Sequence, residues 1–376
     1  MIRRLVRGAA LAVALAAITA AVPAHAEPFG PPSSPGAIVD VGPLPKSSWI
    51  PGAADGSRVT YWSTGPIGRP ALSTGALFVP PGDPPDGGWP VVSWAHGTVG
   101  IADQCAPTRS GMIGGPYLAN WLSQGYAIVA TDYVGLGTPG IHPYLDGPSE
   151  AHSVIDMVRA ARAVEPSLSS RWVALGQSQG GQAAMATAAI ATRYAPELDY
   201  RGAVATGAPS NLENLAPLVR PGFPQLPLTG STVFVSYILA GLRAARPDLD
   251  VDSYLTPRGH DALARAETQC YGQMESELAD TSIGELVSRP LDDPALLEAA
   301  RQMLEIPTTG YDRPVFLGQG LTDEMVPAPL ALKLAAELAA NRQPVTFRTY
   351  PTGHLETMRA ALPESQSFVR SLFSAR

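Results

Sequence analysis

The alternation of buried strands and helices constrains the fold of this chain more than any other feature. From residue 89 onward, apolar runs typical of buried strands, such as WPVVSWA and YAIVATDY, alternate with stretches whose apolar residues recur every three or four positions. Strands separated by helices build a mostly parallel sheet that helices cover on both faces. We therefore predict an α/β fold, formed by residues 27–209 and 306–376. In the helix SEAHSVIDMVRAARAV, we expect Ser149 to be the N-cap.

The stretch 210–305 interrupts this alternation. It contains segments such as STVFVSYILAGLRAA and DPALLEAARQML, which predict helices with no strands between them. We expect a helical cap, or lid, that is inserted into the sheet domain at 210–305. Nearer the start of the chain, residues 27–57 are rich in Pro, Gly and Ser and predict an irregular lead-in before two antiparallel strands.

The first 26 residues predict a secretory signal peptide. Arg3, Arg4 and Arg7 precede a short apolar stretch, and the tripeptide AHA that ends at Ala26 has the form of a cleavage site. The apolar stretch is shorter than the roughly 20 residues of a membrane-spanning helix. We therefore predict removal after Ala26 and a secreted or cell-envelope location, with no transmembrane segment in the mature chain.

Charge and cysteine content narrow the choice of partners. The chain has 33 acidic against 26 basic residues and no basic tract, which argues against nucleic acid or an anionic membrane surface as a partner. The two cysteines are Cys105 and Cys270, and the oxidising compartment of an exported protein favours a disulfide between them. A zinc site needs more ligands close by, and the sequence does not supply them.

Residues 174–181 read ALGQSQGG and contain the pattern G-x-S-x-G from Gly176 through Ser178 to Gly180. The pattern alone also occurs in ordinary small-residue loops, but here a strand leads into it and a helix rich in small residues follows. That is the arrangement of a nucleophile elbow, which presents a serine at the carboxyl edge of a sheet. We predict that Ser178 is a nucleophile; the alternative is a serine in a tight turn.

A serine hydroxyl becomes a good nucleophile when a base takes its proton and an acid orients that base. In this type of fold the acid and the base follow the serine in the order Asp, then His, each after a late strand. Asp323 follows PVFLGQG and His354 follows VTFRTYP, so both are expected at the same sheet edge as Ser178. Glu324 is the alternative acid, and a residue at the start of a helix is the alternative interpretation of His354.

Three other histidines are poorer candidates for the base. His152 lies inside a predicted helix, and His260 lies in the predicted cap. His142 lies in the loop PGIHPYLDG; a place at the border of the site is one interpretation, and a structural role is the stronger one. None of the three follows the last strand, where the base of such a triad belongs.

The negative charge that develops on the substrate oxygen needs hydrogen-bond donors. One expected donor is the backbone N–H of Gln179, directly after Ser178 at the start of a helix. The other is expected in the loop HGTVG after VVSWA, at the N–H of Thr98, with its hydroxyl as a further donor and Gly97 as the alternative. His96 is expected to shape this loop through a hydrogen bond.

Several short motifs, taken in order, resemble those of one family. HGT and CAP, then GLGTPGIHPYL, GQSQGG, TDEMVP and GHLE, behind a signal peptide, are similar to the secretory lipase family, whose best-known type is a fungal lipase A. The resemblance covers nearly all of the chain after the leader. It implies an α/β-hydrolase core with a helical cap and the triad Ser178, Asp323 and His354. It also implies a disulfide between Cys105 and Cys270.

The family resemblance also implies the substrate class, which is acylglycerols or simpler acyl esters. The substrate is expected either in solution or at an oil–water interface. The apolar residues Phe223, Phe234 and Leu239 of the cap are candidates for an acyl-binding tunnel, with an ordinary core as the alternative. The fungal type carries an acidic residue at the second oxyanion position, where this chain has Thr98. The chemistry requires no metal or organic cofactor. A serine peptidase, an acyltransferase and a non-catalytic exported binding protein are the alternative functions.

Overall fold

The computed structural model describes residues 34–374 of the chain. These residues contain a nine-stranded sheet. Its strands are β1 Ile38–Pro43, β2 Asp55–Thr64, β3 Pro70–Val79, β4 Trp89–Ala95, β5 Ala127–Thr131, β6 Leu168–Gln177, β7 Asp199–Thr206, β8 Val315–Gly320 and β9 Val345–Tyr350. Their order across the sheet is β1-β2-β3-β5-β4-β6-β7-β8-β9. The predicted signal peptide, residues 1–26, lies outside the described residues.

The sheet is mostly parallel, as the alternation predicts. Strands β5, β4, β6, β7, β8 and β9 pair in parallel, whereas β1, β2, β3 and β5 pair antiparallel. Parallel pairing aligns the carboxyl ends of these strands at one edge, which is where open α/β sheets place their ligand sites. The loops after β4, β6, β8 and β9 therefore meet at this edge.

The prediction of an irregular lead-in over 27–57 is wrong for Ile38–Pro43, which forms the edge strand β1. Its register with β2 runs from Ile38 opposite Tyr61 to Pro43 opposite Ser57. Most of its side chains are exposed, so it lacks the buried alternation that marks a strand in sequence, and Pro43 suggests a break. Hydrogen bonding to β2 forms this strand, and that pairing leaves little trace in the residue pattern.

Ten helices lie in the described part of the chain: α1 Pro107–Ser110, α2 Gly115–Leu122, α3 Gly147–Val164, α4 Gln179–Tyr194, α5 Ser231–Ala245, α6 Pro257–Ala266, α7 Tyr271–Glu277, α8 Pro294–Leu304, α9 Ala328–Ala340 and α10 His354–Ser374. Helices α3, α4 and α9 pack on one face of the sheet, and α2 and α10 pack on the other. Successive strand residues divide between the two cores; in β6, Ala174 joins the first and Leu175 the second. No helix in residues 34–374 is long and apolar enough to cross a bilayer.

The N-cap of helix α3 is Asp146, not Ser149 as predicted. The Asp146 carboxylate accepts a hydrogen bond of 3.3 Å from the N–H of Ser149, which lies within the first turn. The helix therefore begins at Gly147. An aspartate and a serine serve equally well as N-caps, so the residue types did not distinguish the two positions.

Between β7 and β8 the chain forms helices α5 to α8 and short 3₁₀ turns, with no strand, in agreement with the helical pattern predicted there. We call residues 210–305 the helical segment. It is built around a hydrophobic core of its own, which includes Leu239, Leu263 and Met303 and also takes in Tyr144 and Leu145 from the loop after β5. The segment therefore packs on a loop at the carboxyl edge of the sheet.

A disulfide joins Cys105 and Cys270, with Cα atoms 5.5 Å apart, and confirms the predicted pairing. Cys105 follows the loop after β4, and Cys270 immediately precedes helix α7 in the helical segment. Next to the disulfide, the N–H of Tyr271 donates to the carbonyl of Val99 at 3.0 Å. The helical segment is thus attached covalently beside the loop that follows β4.

The disulfide generates the first prediction. Replacing both cysteines, Cys105→Ser with Cys270→Ser, should lower the free energy of unfolding by about 2–4 kcal/mol, because a closed loop restricts the unfolded chain. Urea denaturation followed by tryptophan fluorescence measures this change. Reductant should destabilise the wild type and leave the double variant unchanged. Equal stability of the wild type with and without reductant would contradict the prediction.

Candidate active site

Ser178 occupies a sharp turn between strand β6 and helix α4. Its backbone has φ 59° and ψ −124°, a conformation that residues with side chains rarely adopt. The Ser178 N–H donates to the carbonyl of Thr206 at 2.9 Å, and its own carbonyl accepts from Gly181 at 2.7 Å. The turn is therefore held from both sides, and Ser178 itself stays partly exposed at the carboxyl edge of the sheet.

The glycines of the G-x-S-x-G pattern are required by close backbone contacts. A Cβ added to Gly176 would collide with the carbonyl of Gly180, and a Cβ added to Gly180 would collide with the carbonyl of Ala95 in β4. A Cβ at Gly181 would lie 2.8 Å from the carbonyl oxygen of Thr206 in β7. Small residues thus let α4 approach the sheet, as the sequence pattern predicts.

Asp323 lies three residues beyond β8, in a loop that fixes both of its carboxylate oxygens. Oδ1 accepts hydrogen bonds from the N–H groups of Met325, at 2.9 Å, and Val326, at 2.7 Å. Oδ2 accepts from Gln319 Nε2 at 3.1 Å and lies 2.7 Å from His354 Nδ1. Because a carboxylate only accepts hydrogen bonds, Nδ1 carries the proton, and the other ring nitrogen, Nε2, is left to act as a base.

His354 is the first residue of helix α10, and two contacts place it beside the Ser178 turn. Gln177 Nε2 donates to the His354 carbonyl at 3.4 Å. The imidazole also lies against Gly207, where an added Cβ would be 3.0 Å from Cε1. Both neighbours adjoin the turn. Gln177 precedes Ser178, and Gly207 follows Thr206, whose carbonyl accepts from the Ser178 N–H.

The rival residues make other contacts. Glu324 accepts a hydrogen bond of 3.2 Å from the backbone N–H of His354, so it contacts the main chain and not the imidazole. His260 is exposed on α6, and the ring of His152 packs on Tyr194, with centroids 4.4 Å apart. His142 is fully buried beneath α4.

Of the two residues expected to supply oxyanion donors, Gln179 directly follows Ser178, and Thr98 follows a glycine that adjoins it. The N–H of Gln179 is the first of helix α4 and has no acceptor within the helix. Gly97 adjoins Ser178, since a Cβ at Gly97 would be 3.5 Å from the serine Cβ. His96 Nδ1 donates to the Gly97 carbonyl at 2.7 Å. In a trans peptide the N–H points opposite to the carbonyl, so this bond fixes the direction of the Thr98 N–H.

Three buried residues lie around these donors: Glu150 and Tyr144 were not singled out from the sequence, and a structural role was the stronger interpretation of His142. Gln179 Nε2 lies 2.7 Å from Glu150 Oε1 and 2.8 Å from His142 Nε2. The Thr98 hydroxyl lies 2.6 Å from the hydroxyl of Tyr144. One signal was available, because the motif GIHPYL follows β5 and so lies at the same sheet edge.

A cavity of about 380 Å³ opens at Ser178 and extends into the helical segment. Its walls are almost entirely apolar and include the three residues predicted for an acyl tunnel, Phe223, Phe234 and Leu239. An apolar cleft of this size is typical of a site for a hydrophobic ligand group. Within residues 34–374, no cluster of three or more His, Cys, Asp or Glu side chains is arranged to hold a metal ion.

Known structures share this architecture. Lipase A from Candida antarctica has a TM-score of 0.77 to this chain at 20% identity, over 91% of this chain and 83% of that one. A rice cell wall degrading esterase from Xanthomonas oryzae has a TM-score of 0.68 at 23% identity, over 85% and 92% of the two chains. With the parallel sheet and the strand–serine–helix turn, these matches define an α/β-hydrolase fold.

Sequence comparisons identify the family, through a match that covers most of the chain. Lipase A of Moesziomyces aphidis is 25% identical over 345 residues, which are 84% of this chain and 71% of that protein. A secreted triacylglycerol lipase of Malassezia globosa is 27% identical over 274 residues, 66% of this chain and 57% of that protein. Residues 112–376 match the secretory lipase family. The chain belongs to this family and is a lipase or esterase, a hydrolase of carboxylic esters.

The close backbone contact at Gly180 generates the second prediction. Gly180→Ala should lower the free energy of unfolding by about 4 kcal/mol or more, or prevent folding, because the added methyl group meets the main chain of β4. The matched control is Gly272→Ala in helix α7, where a Cβ meets nothing within 4 Å. The control should change stability by about 1 kcal/mol at most. Equal denaturation midpoints for the two variants would contradict this packing.

Proposed function

We propose that this protein is a secreted serine hydrolase that cleaves acylglycerols or other carboxylic esters through an acyl-enzyme on Ser178. One observation carries the proposal: the His354–Asp323 hydrogen bond of 2.7 Å lies beside a strained serine turn that opens into an apolar cavity. A nucleophile, an acid and a base in this order on this fold are the parts that acyl transfer needs.

In the first half-reaction, the Ser178 hydroxyl attacks the ester carbonyl while His354 Nε2 takes its proton. Asp323 holds the imidazole in the Nδ1–H tautomer and stabilises the charged form that results. The N–H groups of Gln179 and Thr98 bind the oxyanion of the tetrahedral intermediate. His354 then protonates the leaving alcohol, and the acyl group remains on the serine.

In the second half-reaction, water replaces the alcohol. His354 takes a proton from the water molecule as it attacks the acyl-enzyme, and the same two N–H groups bind the second oxyanion. Collapse of this intermediate releases the carboxylic acid and returns the proton to Ser178. Every proton passes through one imidazole, so the residues of this chain complete the cycle.

The cavity is suited to the acyl part of the substrate. Phe223, Phe234 and Leu239 belong to an almost wholly apolar wall, which favours a hydrocarbon chain over a peptide or a sugar. The helical segment supplies most of this wall and in this proposal acts as a lid over the acyl chain. Relatives named as triacylglycerol lipases support the same substrate class.

The place of action is proposed from three features. The leader has the order of a secretory signal peptide with a cleavage site after Ala26. Relatives of this chain are named as secreted lipases, and the Cys105–Cys270 disulfide fits an oxidising compartment. We infer export with removal of residues 1–26.

The third prediction concerns the nucleophile. Ser178→Ala should lower kcat on p-nitrophenyl butyrate by a factor of about 10⁴ or more, because it removes the hydroxyl that forms the acyl-enzyme. The same change should abolish covalent labelling by a fluorophosphonate and leave the melting temperature near that of the wild type. Ser149→Ala is the matched control, since Ser149 also lies at the start of a helix and does not line the cavity at Ser178.

Two results would contradict the proposal. One is folded wild-type protein that neither hydrolyses p-nitrophenyl esters nor takes the fluorophosphonate label. The other is labelling that persists in Ser178→Ala. An activity series over acyl length, with and without an oil phase, then separates a lipase from an esterase, and added alcohol as acceptor reveals acyl transfer.

A further inference from the structure

We infer that the turn His142–Pro143–Tyr144 positions both halves of the oxyanion hole, with His142 and Tyr144 as positioning residues. This inference rests on the proposed function, because it takes Gln179 and Thr98 as the oxyanion donors. One end of the turn contacts Gln179 and the other contacts Thr98, at 2.8 Å and 2.6 Å. The two donors come from different strand ends, and this turn is a direct link between them.

His142 forms the first arm of the link, and together with Glu150 it holds the side chain of Gln179. Burial lowers the pKa of His142 to about 3, so the ring is neutral at neutral pH. Nδ1 donates to the carbonyl of Val134 at 3.0 Å, and Nε2 is therefore the acceptor for Gln179 Nε2. The second amide proton of Gln179 goes to Glu150 Oε1 at 2.7 Å. Both protons of this side chain are thus used, which fixes the residue that follows the nucleophile.

Burial disfavours charge on the acid of this arm. It raises the pKa of Glu150 well above its ordinary value, and it lowers the pKa of His142, whose Nε2 lies 3.6 Å from Glu150 Oε1. Its Oε1 also accepts from the N–H of Leu145 at 3.0 Å, one residue beyond the turn. His142, Glu150 and the amide of Gln179 thus form a buried hydrogen-bonded group next to the nucleophile.

Tyr144 forms the second arm of the link and contacts the hydroxyl of Thr98. A hydroxyl has one proton to donate and can accept others. When the Tyr144 hydroxyl donates to Thr98 Oγ1, the proton of Thr98 is free to point at the oxyanion. The side chain of Thr98 then becomes a third donor, beside its own N–H and that of Gln179.

The turn that joins the two arms is rigid. The Tyr144 N–H donates to the carbonyl of His142 at 2.9 Å, which closes a three-residue turn around Pro143. Tyr133 stacks on the His142 ring, with centroids 5.5 Å apart and an angle of 8° between the planes. Gly241 of α5 packs on the main chain of Pro143 and Tyr144. Donors that are fixed before reaction stabilise the developing charge without reorganising, so this rigidity serves the chemistry.

The fourth prediction tests the Tyr144 arm. Tyr144→Phe should lower kcat about tenfold with little change in KM, because it weakens a donor that acts only on the tetrahedral intermediate. The affinity for an alkylboronic acid, which forms a tetrahedral adduct on the serine, should fall by the same factor. In a Thr98→Val background, Tyr144→Phe should have no further effect on kcat, because the two hydroxyls act as one unit.

A matched control lies beside this tyrosine. Tyr237 is fully buried, its ring is 5.4 Å from that of Tyr144, and its hydroxyl has no hydrogen-bond partner. Tyr237→Phe therefore removes a buried hydroxyl from the same cluster and should leave kcat and boronic acid affinity unchanged. In the other arm, His142→Gln keeps an acceptor near the position of Nε2 and should retain more activity than His142→Leu.

The outcomes separate this inference from the proposed function. Wild-type kcat and boronic acid affinity in Tyr144→Phe would overturn the inference while the ester hydrolase stands. Equal losses from Tyr144→Phe in the wild-type and Thr98→Val backgrounds would also overturn it, since Tyr144 would then act independently of Thr98. Failure of the wild type to hydrolyse esters or to take a fluorophosphonate label would instead overturn the proposed function.

Discussion

The positive φ of Ser178 is the constraint on which the rest of the site depends. A residue with φ 59° between a strand and a helix turns the chain sharply, so its side chain projects beyond the sheet edge and the next N–H begins the helix. That geometry is reached only if the helix approaches the sheet, and Gly176, Gly180 and Gly181 permit the approach. One local strain thus places a hydroxyl beside the first N–H of a helix, the proposed oxyanion donor.

The partners of this serine reach it through the topology of the sheet. Asp323 and His354 follow adjacent strands, β8 and β9, and parallel pairing brings both loops to the same edge as β6. The loop after β4, which carries the other proposed oxyanion donor, is held by the Cys105–Cys270 disulfide and by the turn at 142–144. The helical segment packs on that turn, so the segment that lines the cavity contacts the same turn that contacts Thr98.

Much of this could be predicted from the sequence, because strands, helices and the G-x-S-x-G turn leave local patterns. The strands that precede Ser178, Asp323 and His354 were predicted correctly, and so was the disulfide. Strand β1 was missed because its residues are exposed and its pairing is not local. The contacts of His142 and Tyr144 join residues 37 and 46 positions apart, and hydrogen bonds over such separations leave no periodic signal.

The central claim is that one hydroxyl, one imidazole and two backbone N–H groups converge on a single tetrahedral centre. The most direct measurement is a crystal structure of the protein after reaction with a short alkyl phosphonate. We expect phosphorus bonded to Ser178 Oγ, with its free oxygen about 3 Å from the N atoms of Gln179 and Thr98, and His354 Nε2 within hydrogen-bond distance of Oγ. A phosphonate on another residue, or an imidazole beyond reach of the adduct, would contradict the account.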